Sequence, residues 1–186
     1  MKTLYIDAFS GVSGDKFVAA LLDLTHDFDY LSAQIKTLGI EDEYEITLSK
    51  KNVLGIDSGY FKVNLANEKK HSHGEKDAST YKHTHENNLE HSHAAKNMTE
   101  HSHSHRNLSD ISKIIKNSKI SEKAKEAALG IFKIVAEAEA KVHGKNIEEV
   151  HFHEVGAVDS IIDIVSTAVL LDALNPDKIL CSHIPT

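Results

Sequence analysis

Thr3-Leu4-Tyr5-Ile6-Asp7-Ala8-Phe9-Ser10-Gly11-Val12-Ser13-Gly14-Asp15 opens in the alternating manner of a strand through Phe9, then gives way to small residues and two glycines. Small residues and glycine permit a tight turn, and the next residues place Phe17, Ala20, Leu21 and Leu24 on one helical face. The unit is therefore read as strand, loop and helix. A second helix is expected from about Tyr30 to Leu38, with Leu31, Ile35 and Leu38 inward and Gly39 as its stop. Both helices should pack on one sheet. Glu43 to Ser49 and Gly59 to Leu65 each alternate, with Tyr44, Ile46 and Leu48 facing Phe61, Val63 and Leu65. They are expected to pair antiparallel across a long connection.

From Ala66 to about Asn107 periodicity disappears and polar residues dominate, so apolar burial cannot offset the entropy of ordering. A disordered insertion is expected there. Ser109 is the expected cap of a short helix through Ile115, followed by a long helix from Ser121 to about Val142. The stripe of that helix is read as Ile120, Ala124, Ala127, Ile131, Ile134, Ala138 and Val142, with Gly144 ending it. A turn at His151 to Glu154, an apolar helix from Ala157 to Leu174 and a buried strand from Lys178 to Ser182 complete the reading. The fold class is thus α/β, a mixed sheet flanked by helices with a long His-rich insertion. Residues 1–65 and 109–186 are expected to build one domain around the insertion at 66–108. A sequence that stops directly after a strand is expected to be part of a longer protein.

Bulk properties exclude several classes. The formal charge of −7 on 186 residues leaves no lysine and arginine stripe dense enough to neutralise a row of phosphates, so nucleic acid is not an expected partner. Asp159, Asp163 and Asp172 interrupt the most apolar stretch, which falls short of the roughly 20 residues a membrane helix needs. One cysteine, Cys181, and no secretory signal pattern point to the cytoplasm. In a strand, Cys181 is expected to be a small buried residue.

Histidine is the compositional outlier, with nine of fourteen falling within residues 71–105. They form His-x-His clusters: His71 with His73, His83 with His85, His91 with His93, and His101 with His103 and His105. Neutral imidazole suits Ni, Cu, Zn and Fe(II), and a flexible chain can wrap several rings around one ion, so capture of metal is the expected role. A solvated polar linker is the alternative.

Two further groups carry chemistry. In the first loop, Asp7 and Asp15 flank Ser10, Gly11, Ser13 and Gly14, and the N–H groups opening the helix are candidates to receive a phosphate. The alternative is a plain turn with Asp15 capping the helix. Near the other end, His151-Phe152-His153-Glu154 precedes a helix on which Asp159 and Asp163 share one face. Carboxylates on so apolar a helix need a cation, a basic group or backbone donors, because an isolated buried charge is costly. The alternative is that Asp159 caps a neighbouring element and the histidines make ordinary core hydrogen bonds.

The run Tyr5 to Asp15, the run His151-Phe152-His153-Glu154-Val155-Gly156-Ala157-Val158-Asp159-Ser160-Ile161-Ile162-Asp163-Ile164-Val165 and the His-rich insertion between them resemble the LarC-type nickel insertion proteins. The resemblance covers nearly the whole chain and departs at Lys16, where methionine is more usual. It implies installation of Ni(II) into pyridinium-3,5-bisthiocarboxylic acid mononucleotide, forming the nickel-pincer cofactor of lactate racemase, with CTP and Mg(II) or Mn(II). It also implies a further C-terminal portion carrying the CTP chemistry, so the activity is not expected of these residues alone. Apo lactate racemase and a homo-oligomer are the other partners it suggests. The motif positions it marks are Asp7, Asp15, His151, His153, Glu154, Asp159 and Asp163. A stand-alone nickel store and a nucleotide hydrolase are the rival readings.

Overall fold

The computed structural model describes residues 1–66, 106–150, 152 and 155–184. The nine histidines at 71–105 and the residues His151, His153 and Glu154 lie outside the described residues.

The α/β reading holds. Strand β1 (Thr3–Ile6) pairs in parallel with β4 (Lys178–Cys181), Leu4 opposite Ile179 and Tyr5 opposite Leu180. Strands β2 (Tyr44–Val53) and β3 (Ile56–Leu65) form an antiparallel hairpin, Tyr44 opposite Leu65 and Val53 opposite Ile56. Parallel and antiparallel pairing both occur, but among the described residues they form two separate two-stranded sheets rather than one. The hairpin packs through β3 on the first helix and does not add to the edge of β1. The long connection expected between β2 and β3 is a two-residue turn, Leu54 and Gly55, at φ 52° and 85°. Two positive φ values match the twist of a hairpin, and Asn52 Oδ1 accepts the Gly55 N–H at 3.1 Å. Leucine at a positive φ is uncommon, which is why the turn was not visible in the sequence.

Five helices surround these strands: α1 (Gly14–Thr25), α2 (Phe28–Lys36), α3 (Leu108–Asn117), α4 (Glu122–His143) and α5 (Val158–Leu174). The cap of α3 is Asn107, whose side chain accepts the Asp110 N–H at 2.9 Å, and not Ser109. Ser121 caps α4 as expected, accepting from Ala124 at 3.0 Å, and Gly144 ends it at φ 61°. Helix α5 is the centre of the molecule, packing on α1, α2, α4 and β3. Ile161, Ile162, Val165 and Ser166 through Leu170 are all buried. Among the described residues no helix is long and apolar enough to cross a membrane.

Three expectations about faces are corrected. Helix α4 buries Ala124, Ala128, Phe132 and Ala136, whereas Ile134 and Val142 on the expected stripe are 69% and 80% exposed. Phe132 chooses the face: its ring meets Phe152 at 6.2 Å between centroids, and the alanines let α4 approach α5. Helix α1 buries Val18, Ala19, Leu21 and Leu22, because α5 and β3 both pack against it, and Leu24 of the expected stripe stays exposed. Strand β4, expected to be buried, is exposed along its length, Cys181 included, since among the described residues β1 is the one strand beside it.

Candidate functional site

The packing of α5 against the start of α1 brings together residues from opposite ends of the chain. Asp159 and Asp163 stand one turn apart on α5. Asp159 is exposed and accepts its neighbour's N–H, from Ser160, at 2.8 Å. Asp163 lies deeper, against the first residues of α1. There Ser13 has the extended backbone of a cap, but its hydroxyl donates to the Asp15 carboxylate instead of serving the helix N–H groups. Asp15, which the sequence reading had considered as the cap of α1, instead accepts from Ser13, and among the described residues α1 has no side-chain cap hydrogen bond. The Asp163 carboxyl comes from across the interface to lie over Gly14 and near the Asp15 N–H, which acts to lower its pKa.

This contact dictates a glycine at position 14. A Cβ there would lie 2.5 Å from Asp163 Oδ2, inside any van der Waals distance. The other oxygen, Oδ1, is buried and has no hydrogen-bond partner among the described residues. Burial, followed by the charges of Asp15 and Asp159, pushes the Asp163 carboxyl up to about 7, with the Asp15 N–H acting weakly the other way. Near neutral pH the group is therefore divided between acid and carboxylate, which is how a protein accommodates a buried acid that lacks a countercharge.

The remaining first-loop residues lie apart from that contact. Asp7 is exposed at the end of β1 and lines a cleft of about 190 Å³ with Val12, Lys16 and Phe17. Gly11 makes a tight turn, its N–H donating to the Ala8 carbonyl at 2.9 Å with φ 81°. Ser10 and Ser13 are exposed beside it. As a phosphate cradle the start of α1 fits poorly: the Asp163 carboxyl occupies the space over Gly14, and Asp15 and Asp159 add negative charge that repels an anion. The same charges favour a cation. Among the described residues, however, no three histidine, cysteine, aspartate or glutamate side chains converge closely enough to hold a metal ion.

The family model described as "Nickel insertion protein" matches residues 4–186, which include the acidic contact, the His-Phe-His-Glu turn and the His-rich stretch. This chain belongs to the nickel insertion protein family. A Clostridium acetobutylicum relative named pyridinium-3,5-bisthiocarboxylic acid mononucleotide nickel insertion protein is 52% identical over 99% of the chain and 44% of its own length. A relative of the same name from Alkaliphilus metalliredigens is 44% identical over 97% of the chain and 39% of its own length. A putative nickel insertion protein of Wolinella succinogenes is 39% identical, over 99% and 38% respectively. The chain spans about two fifths of the length of these relatives. No solved structure matches it.

One residue that sequence reasoning passed over sits where the chain resumes after residues 67–105. Arg106, the sole arginine of the chain, follows His105 directly. Its side chain is 12% exposed and one guanidinium nitrogen pairs with Glu43, while Nη1 is buried with no partner among the described residues. Its carbonyl oxygen would lie 2.8 Å from a Cβ on Gly156, so the backbone at 106 touches the backbone just after the His-Phe-His-Glu turn. Phe152 is fully buried, its ring against Phe132. The available signal was a lone arginine at the junction between a polar stretch and a helix cap.

Proposed function

We propose that this chain collects Ni(II) on its His-rich segment and passes it to a site at the start of α5, for insertion into pyridinium-3,5-bisthiocarboxylic acid mononucleotide. Nickel is cargo in this scheme, the mononucleotide is its acceptor, and lactate racemase-type enzymes use the finished cofactor. His71, His73, His83, His85, His91, His93, His101, His103 and His105 form the reservoir. His151, His153, Glu154, Asp159, Asp163 and Asp15 form the receiving site, and Asp7 with Ser10, Gly11, Ser13 and Gly14 borders the substrate. CTP and its Mg(II) or Mn(II) are assigned, as the family resemblance implies, to the part of the longer family protein outside this chain.

The observation that carries the reading is the contact of Arg106 with Gly156. Arg106 directly follows the last histidine of the reservoir in sequence, and Gly156 follows Glu154 by two residues. A metal released from the segment enters a region of negative charge that includes an incompletely ionised Asp163. Binding a divalent ion there would expel the Asp163 proton, so the site takes up metal more readily as pH rises through about 7.

The test compares two kinds of variant in the full-length family setting, reading nickel-dependent activation of apo lactate racemase. Removal of residues 67–105 should impair activation when nickel is scarce and be rescued by excess nickel, since imidazoles on a segment of this kind act by local concentration. His153→Ala and Asp159→Asn should abolish activation at every nickel concentration while total nickel bound stays nearly unchanged. Rescue of the point variants by added nickel would make that group another collector and overturn the assignment.

A further inference from the structure

The parallel pair β1–β4 is incomplete in a way that specifies what completes it. Parallel sheets are normally buried on both faces, and a two-stranded sheet has little stability of its own. Here Tyr5 and Leu180, partners on the outward face, are 59% and 41% exposed. Helices α1 and α5 pack together, and Leu4 packs against the core they help to form.

The edge of β1 away from β4 has a matching vacancy. The carbonyls of Lys2 and Ile6 accept hydrogen bonds from Lys178 and Ser182, so the even-numbered residues address β4. Backbone groups alternate along a strand, and those of Thr3 and Tyr5 therefore point to the other edge. No described strand lies there. Helix α1 overhangs this edge with Phe17, Ala20 and Leu24, and a cleft of about 190 Å³ runs between that stripe and Leu4 and Ile6. This is the α1 face that periodicity marks as apolar, and Leu24 remains 57% exposed on it. A strand edge beside an apolar helix stripe with no sheet beneath it is the shape of a missing strand.

Residues 67–105 are a poor source for that strand, since Ala78, Tyr81, Leu89, Ala94, Ala95 and Met98 are scattered singly or in one pair among polar and charged residues. A second copy of this chain would bring another two-stranded parallel pair with the same shortage of cover. Relatives that match nearly all of this chain with only about two fifths of their own length do carry additional polypeptide.

We propose that the additional part of the family's chain supplies a β-strand that hydrogen-bonds to Thr3 and Tyr5 at the free edge of β1 and lays apolar side chains under Phe17, Ala20 and Leu24. The assignment is independent of the metal chemistry proposed above.

Amide hydrogen exchange compares the 186-residue chain with the full-length Clostridium acetobutylicum relative. In the relative, the amides aligned with Thr3 and Tyr5 should exchange about a hundredfold more slowly than in this chain, with the amides of α5 as the internal reference for folding. Equal exchange at those two positions overturns the proposal. A lysine at the relative's position aligned with Leu24 should restore fast exchange there, while a lysine at the position aligned with Ile134, exposed on the far helix α4, should not; protection that survives the first change also overturns it. Sedimentation of the 186-residue chain covers the remaining occupant. Leu24→Lys is expected to leave its sedimentation unchanged, and a dimer that this change dissociates would assign the face to a second copy instead.

Discussion

Asp163 lies against the start of α1 at a cost in stability near neutral pH. A carboxyl that titrates near 3.8 in the open chain and about 7 in the folded one holds its proton more tightly when folded. Its contribution to stability is then complete below about pH 4 and is lost as pH rises through 7. This is the reverse of the usual salt-bridged aspartate, such as Asp23, which Lys50 holds below the ordinary range by a 2.7 Å hydrogen bond. Asp163→Asn keeps the shape of the side chain and removes the charge. The variant should match the parent in acid and melt a few degrees higher near pH 8, a gain on the order of 1 kcal/mol, in thermal unfolding at both pH values. The same change should abolish cofactor maturation, and a variant that is more stable and fully active would remove Asp163 from the receiving site. Gly14→Ala tests the same contact from the other side: its Cβ must displace the Asp163 carboxyl, so it should destabilise the fold far more than an ordinary first-turn alanine.

At the scale of elements, the ends of α4 were readable while its buried face was not. Ser121 and Gly144 act locally, through a hydroxyl and a left-handed backbone, and need no partner from elsewhere in the fold. The face is a tertiary choice, because a helix carrying Ile131, Ile134 and Val142 on one side and Ala128, Phe132 and Ala136 on another offers two overlapping stripes. Close approach to α5 and the contact with Phe152 favour the small one. Chemical denaturation should separate the two. Ala128→Leu, at a fully buried position, should cost about 1–3 kcal/mol by overpacking, and Ile134→Ser, which periodicity alone would place in the core, less than about 0.5 kcal/mol. The reverse order would mean that α4 packs on the face read from sequence.

For the whole molecule, the core described here is drawn from both flanks of the His-rich stretch: Leu21, Ile35 and Phe61 before it, Ile111, Phe132 and Ile162 after it. The flanks meet again where Arg106 pairs with Glu43 and where β1 pairs with β4. Removing residues 67–105 behind a short linker should therefore leave the far-ultraviolet spectrum and melting temperature nearly unchanged. The same removal should eliminate most of the Ni(II) bound in calorimetry, since it takes away nine of the fourteen histidines. Unchanged stoichiometry would relocate the reservoir, and loss of the fold would make the stretch part of the core.

Read alone, the sequence determined whatever depends on neighbours along the chain. That includes the strand–loop–helix opening, the helices and several of their caps, the alternation of β2 and β3, and the concentration of histidine at 71–105 for which metal capture is the expected role. It also marked Asp159 and Asp163 as an anomaly, because two acids on an apolar helix demand a reason wherever the helix sits. Only the tertiary structure decided that Asp163 meets Gly14 and Asp15 from the other end of the chain, and that this meeting, by excluding water and adding like charge, moves its ionisation to neutral pH. It likewise decided which stripes of α1 and α4 are inside and which side of β1 is left open. Periodicity specifies that a helix has an apolar face, but burial depends on the shape of what packs against it.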